Sequence, residues 1–174
     1  MSWAAEELKK ANLGDRRRNR RLIKIVEDLS AMPHASVTQA ARDKAAVQGT
    51  YEFWGNVRVK ASEILAAHRD STLERVAAQS IVLAVQDTTE LDFSAQSKKQ
   101  GLGALSKKDA QGLKVHSVLC VSPLGVPLGV LHQKVWAREK NRRTTGYADR
   151  KRAIEQKESH RWLESDKRRC IMKG

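Results

Sequence analysis

The spacing of apolar positions changes character once along the chain, near Ser80. Before that point it is helical. Ser2 is placed to cap a short helix carrying Trp3, Leu8 and Ala11, and Leu13-Gly14 breaks it, because glycine commonly follows a helix end. Asp15 is a good N-cap for the next helix, whose Leu22, Ile25, Val26 and Leu29 form the i, i+3, i+4, i+7 stripe of a packed face. Pro33 ends it. Ser36 and Gln39 fit a capping box, so a further helix is expected from there, with Val47, Tyr51 and Trp54 on one side and Gly49 interrupting. Ile64, Leu65 and His68 predict another after Val59, and Ser71-Thr72 is placed to cap a last one through Leu73 and Val76.

After Ser80 the pattern is that of strands. Ile81-Val82-Leu83-Ala84-Val85 is a continuous apolar run, the signature of a strand buried on both faces and so central in its sheet, ended by Gln86 and Asp87. Residues 93–111 are polar with Gly101 and Gly103 and read as a loop. Residues 113–121 and 126–136 read as two strands of a hairpin around the turn Ser122-Pro123-Leu124-Gly125, with Pro127 weakening the start of the second. A basic loop is expected over 138–152, and a helix over 153–168 with Ile154, Trp162 and Leu163 as its apolar positions. The fold class expected is α+β, with a helical domain over 1–78 and a sheet domain over 79–174.

Composition narrows the function. The chain has 174 residues, 33 Lys+Arg against 20 Asp+Glu, and a formal net charge of +13, which favours a polyanionic partner. No apolar run approaches the roughly 18 residues of a membrane span, and the N-terminal stretch lacks a signal-peptide core, so a soluble intracellular protein is expected. Cys120 and Cys170 are far apart, which supports neither a disulfide framework nor a cysteine zinc site.

Six of the 33 cations sit within nine residues. Arg16, Arg17, Arg18, Arg20, Arg21 and Lys24 crowd the first turns of the second predicted helix. At about 100° per residue, Arg17, Arg20 and Lys24 point away from the apolar stripe, Arg16 and Arg21 flank them, and Arg18 falls near the apolar side and must snorkel. Cations at a helix N-terminus oppose its dipole, and Glu27 and Asp28 near the other end do so too. A bound anion would compensate, since free N–H groups, dipole and arginines converge on a phosphate. The ordinary alternative is a solvated basic face. Asp87, at the end of its predicted strand, is placed either for chemistry at the sheet rim or for a turn with Thr88 and Thr89; alternation puts Asp92 on the opposite face from Asp87 if the strand continues.

These pieces, in this order, resemble the DDE cut-and-paste transposases of the insertion-sequence-four group. Leu13-Gly14-Asp15 and the arginines are similar to that family's end-binding helical segment. Tyr51-Glu52-Phe53-Trp54-Gly55-Asn56 resembles its Tyr-Arg-Phe-x-x-Asn element, with Glu52 in place of the arginine. Val85-Gln86-Asp87-Thr88-Thr89-Glu90-Leu91 resembles the segment bearing the first catalytic aspartate. Gly101-Leu102-Gly103, His116-Ser117-Val118-Leu119, residues 125–131, Gln133 and Trp136-Ala137-Arg138 follow as in the family, and Lys157-Glu158-Ser159-His160-Arg161-Trp162 is similar to its Lys-Glu-Ser-x-x-Trp element.

The resemblance implies a helical domain that binds transposon-end double-stranded DNA, with contacts from Arg16, Arg17, Arg18, Arg20, Arg21, Lys24 and Tyr51. It implies an incomplete RNase H-like domain of three antiparallel strands and a helix. Asp87 would be the catalytic and metal-binding acid, one of three that hold two Mg²⁺ ions for phosphodiester hydrolysis and strand transfer. The family's second aspartate and its Tyr-Arg-Glu-Lys glutamate have no counterpart, so a truncated transposase, inactive alone, is expected. The strand order of such folds leaves residues 81–85 at an exposed edge, prone to self-association; full-length transposase is the other implied partner. The implied location is the bacterial cytoplasm, with the nucleoid. Two alternatives remain: a small metal-dependent nuclease built on Asp87, Glu90 and Asp92, and a general basic nucleic-acid-binding module.

Overall fold

Capping and local hydrogen bonds set the helices of the first half. In the computed structural model, which describes residues 1–96 and 98–138, the Ser2 hydroxyl accepts from the Ala5 N–H and starts α1 (Trp3–Glu7). Gly14, at φ +72°, turns the chain where a side chain would be strained. The Asp15 carboxylate then accepts from the Arg17 N–H and starts α2 (Arg16–Ala31). Asn19 locks this connection: its amide donates to the Ala11 carbonyl and accepts from the Leu13 N–H, at 2.9 and 3.0 Å.

The helix expected from Ser36 onward is two helices. α3 (Val37–Ala40) is a single turn, Ala41 is extended, and Asp43 caps α4 (Lys44–Gly55) by accepting from the Ala46 N–H at 2.7 Å. The aspartate offers the backbone a second start, which the periodicity alone did not reveal. The converse holds for Ser71-Thr72, expected to begin a new helix. They lie inside one continuous α5 (Ala61–Ala77), because the Thr72 hydroxyl donates to the His68 carbonyl four residues back and that of Ser71 to the Glu7 carbonyl. Leu8, Ala11, Leu13, Leu22, Ile25, Phe53 and Ala67 form the core of this unit, with Val26, Leu29, Val59 and Ile64 packed against it. On α4 the buried side is that of Thr50 and Phe53, so Tyr51 and Trp54 are left exposed.

α1 and α5 are joined by a charged cluster. Arg75 donates to both oxygens of Glu7, at 2.6 and 2.9 Å, and His68 Nδ1 lies 2.6 Å from Glu7 Oε1. Burial raises the Glu7 carboxyl, but Arg75 and His68 together outweigh it and hold the group below its ordinary value.

The chain divides into two compact units, Met1–Ser80 and one beginning at Ile81. The second is an antiparallel sheet of β1 (Leu83–Asp92), β2 (Gly103–Ala104), β3 (Gln111–Val121) and β4 (Pro127–Trp136). β3 is central: β1 pairs along one side, while β4 and the short β2 share the other, end to end. The β3–β4 hairpin turns over Ser122 and Gly125 and has two register shifts, between Val118 and Leu119 and between Cys120 and Val121. Pro127 opens β4, where its missing N–H costs least.

The α+β class therefore holds for the described residues, with five helices and four strands. Three expectations for the sheet are corrected. It has four strands rather than three, since Gly103–Ala104 pairs within the segment read as a loop. β1 is not central, because among the described residues it pairs with β3 alone. It does not end at Asp87 but runs to Asp92, with exposed and half-buried positions alternating, as one-sided burial requires. The predicted helix over 153–168, the Lys-Glu-Ser-x-x-Trp element and residues 139–152 of the basic loop lie outside the described residues. No helix among the described residues is long and apolar enough to cross a membrane.

Candidate nucleic-acid interface

The helical phase of α2 separates its two faces. Leu22 and Ile25 are buried, whereas Arg16, Arg17, Arg20, Arg21 and Lys24 are exposed. Arg17, Arg21 and Lys24 recur at intervals of four and three residues and so form one row along the helix. Arg17, with a side chain 92% exposed, lies 3.9 Å from Asp15, its one acidic neighbour among the described residues. Among the described residues no hydrogen bond or ion pair engages the side chains of Arg16, Arg20, Arg21 or Lys24. Arg18 differs: it is half-buried, and its guanidinium donates to the Arg58 carbonyl at 3.4 Å. Asp28, unfavourably placed for the α2 dipole, accepts from Arg42 Nε at 2.9 Å instead.

A groove of about 220 Å³ runs between α2 and α4, lined by Arg21, Lys24, Ile25 and Asp28 on one side and by Arg42, Asp43, Ala45, Ala46 and Thr50 on the other. Both of its carboxylates are engaged, Asp28 by Arg42 and Asp43 by the Ala46 N–H. Arg21 and Lys24 thus give the groove a positive rim. Tyr51 stacks edge-on against Trp54, with ring centres 5.8 Å apart, and both are exposed on a different side of α4. The expected contact residues are therefore not one continuous patch. The row on α2 is continuous, Arg18 is turned to the core side, and Tyr51 lies apart. Glu52, in place of a basic residue in the motif, accepts from Gln48 one turn earlier.

In the sheet unit, alternation sorts the acids. Asp87 is exposed in the middle of β1, on the face that carries Leu83, Val85 and Leu91. It lies opposite Ser117, which accepts a hydrogen bond from Gln133 of β4. Glu90 points to the other face, where Lys114 lies 3.2 Å away and Ser106 donates through its N–H and hydroxyl. Asp92 accepts from Ser94 and closes the turn after β1. The structure thus does not bring Asp87, Glu90 and Asp92 together. Among the described residues, no group of three histidine, cysteine or acidic side chains is arranged to hold a metal.

On the same face as Glu90, His116 is fully buried. Its Nδ1 lies 2.9 Å from the Thr88 hydroxyl and its Nε2 3.1 Å from Gln86 Oε1. Burial pushes the ring below its ordinary value, and the backbone and charge of Asp87 only partly offset this. Sequence reading assigned His116 no role of its own and missed this polar row. The alternation of Gln86, Thr88 and Glu90 on one face of an amphipathic strand was its only signal.

Comparison with known families bears on the helical unit. Residues 1–59, which span α1 to α4 and both walls of the basic groove, match the family model described as transposase DNA-binding, and this supports a transposase that binds DNA.

Proposed function

We propose that this chain binds the duplex ends of a transposable element, as the end-recognition part of a DDE transposase of the insertion-sequence-four group. One observation carries the reading: five exposed cations on α2, four of them without any acidic partner among the described residues, lie inside the segment that matches a transposase DNA-binding family. Such a row follows a phosphate backbone and gains by counterion release. In this reading the sheet unit is RNase H-like, with β1, β3 and β4 as its first three strands and Asp87 as the first acid of the family. The protein then works in the cytoplasm at the nucleoid, and contacts a second copy or a full-length transposase through the sheet.

Asp87 is proposed as one carboxylate of a Mg²⁺ site. The described residues near it, Ser117 and Gln133, add no second carboxylate, so they do not fit a two-metal centre, and no catalytic step is assigned to them.

The test is binding of the full chain to labelled duplexes, with selection from a randomised duplex pool. Enrichment of one sequence, and tighter binding to it than to RNA of equal length, is the expected result. Equal affinity for RNA and any duplex would replace end recognition with a general basic module. Mg²⁺-dependent cleavage abolished by Asp87→Ala would extend the reading to catalysis.

A further inference from the structure

We propose that Gly49 is a positioning residue for DNA. Its missing side chain lets the Arg21 guanidinium lie across α4, where it meets one backbone phosphate at the rim of the α2–α4 groove, next to the phosphate that Lys24 meets. The inference rests on the DNA-binding reading above and deepens it.

Gly49 lies in the interior of α4, where glycine is less favourable than alanine. Its backbone is ordinary for a helix, so no unusual φ calls for glycine there. The reason is on its open side. A Cβ built at Gly49 would come 2.5 Å from Arg21 Nη1, 2.8 Å from Cζ and 3.2 Å from Nη2. All three nearest atoms belong to that one guanidinium, and none to the α2 backbone. The absent methyl therefore makes room for a cation rather than for close helix packing. At Gly55, by contrast, a Cβ would meet nothing within 4 Å.

Among the described residues this guanidinium has no partner of its own. No acid among the described residues pairs with Arg21, and both carboxylates of the groove are already engaged. Lys24, one turn further along α2, lines the same groove and is equally unpaired among the described residues. An arginine laid flat on a helix surface loses rotamer freedom before binding, so less is lost when its N–H groups meet phosphate oxygens. A side chain at position 49 would push the guanidinium off this seat. The displaced group is the far end of a flexible side chain, so the fold should tolerate the change.

The experiment compares the full chain with Gly49→Ala, Arg21→Ala and the double variant, reading duplex affinity against salt together with thermal melting. One phosphate contact contributes about 0.9 to the slope of log K against log[salt], or about 8-fold in affinity near 0.1 M salt. Gly49→Ala is expected to lose about that much affinity and slope while melting at the same temperature or higher. Arg21→Ala should lose a similar amount, and the double variant no more than either. Wild-type binding by Gly49→Ala, or additive losses in the double variant, would overturn the inference and leave the DNA-binding reading standing. So would a lowered melting temperature for Gly49→Ala that persists in the Arg21→Ala background, since the clash would then lie elsewhere. If the unmodified chain shows no salt-dependent duplex binding, the DNA-binding reading itself falls.

Discussion

Replacing Arg17 and Arg20 together by alanine should weaken DNA binding and strengthen the fold. The two effects have one origin. Both arginines lie in the first turns of α2, exposed and away from the Leu22 and Ile25 face. There they oppose the helix dipole, at a cost of roughly 0.3–1 kcal/mol each at low salt. Removing both should raise the melting temperature by several degrees, since about 1 kcal/mol shifts a unit of this size by roughly 4–8 °C. The exposed cations of α2 are Arg16, Arg17, Arg20, Arg21 and Lys24. If all five meet phosphates, the slope of log K against log[salt] is about −4.5, and about −2.7 with three. A rise from about 50 to 200 mM salt then costs the native chain roughly 500-fold in affinity and the variant roughly 40-fold. Fluorescence anisotropy of a labelled duplex over a salt series measures the slope, and circular dichroism follows melting. An unchanged slope in the variant would refute the assignment of α2 as the DNA face. A lower melting temperature would show that these arginines serve folding.

Other parts of the molecule give independent expectations. Glu7→Gln should destabilise the helical unit by about 2 kcal/mol, discounted for the partial exposure of Arg75, as seen by urea denaturation followed at 222 nm. Because the folded Glu7 carboxyl lies below its ordinary value, its contribution is fully present above about pH 4.3 and is lost as pH falls through the lower folded value; the Gln variant should lack that acid limb. His116 is held neutral by burial, so its contribution to the sheet is present above about pH 6.5 and is lost as pH falls through the depressed folded value; denaturation at pH 7.5 and below 6 should differ, and should differ less in His116→Gln. β1, at the edge of the sheet among the described residues, presents Leu83 and Val85, each 52% exposed, so Val85→Lys should reduce concentration-dependent association in sedimentation velocity.

Much of the helical unit was legible in the sequence. Ser2 and Asp15 act within a few residues of themselves, so the starts of α1 and α2 could be read locally, whereas α1 stops at Glu7, short of the Leu8 and Ala11 expected on it and well before Gly14. The 3.6-residue stripe of Leu22 and Ile25 likewise fixed which side of α2 is buried and, by exclusion, which cations face solvent. The hairpin around Ser122 and Gly125 was equally local. Tertiary structure decided the rest, because it depends on partners distant in sequence. Whether Ser71 and Thr72 start a helix or continue one depended on where their hydroxyls found acceptors, one of them 64 residues away at Glu7. The run from Ile81 to Val85 has the composition of a doubly buried strand, yet among the described residues β1 pairs with β3 alone and so lies at the edge of their sheet. Packing of α2 on α4 decided which of six neighbouring cations rims a groove, and why a glycine sits opposite Arg21. Periodicity assigns a residue to a face of its own element; only the packing of one element on another decides what that face meets.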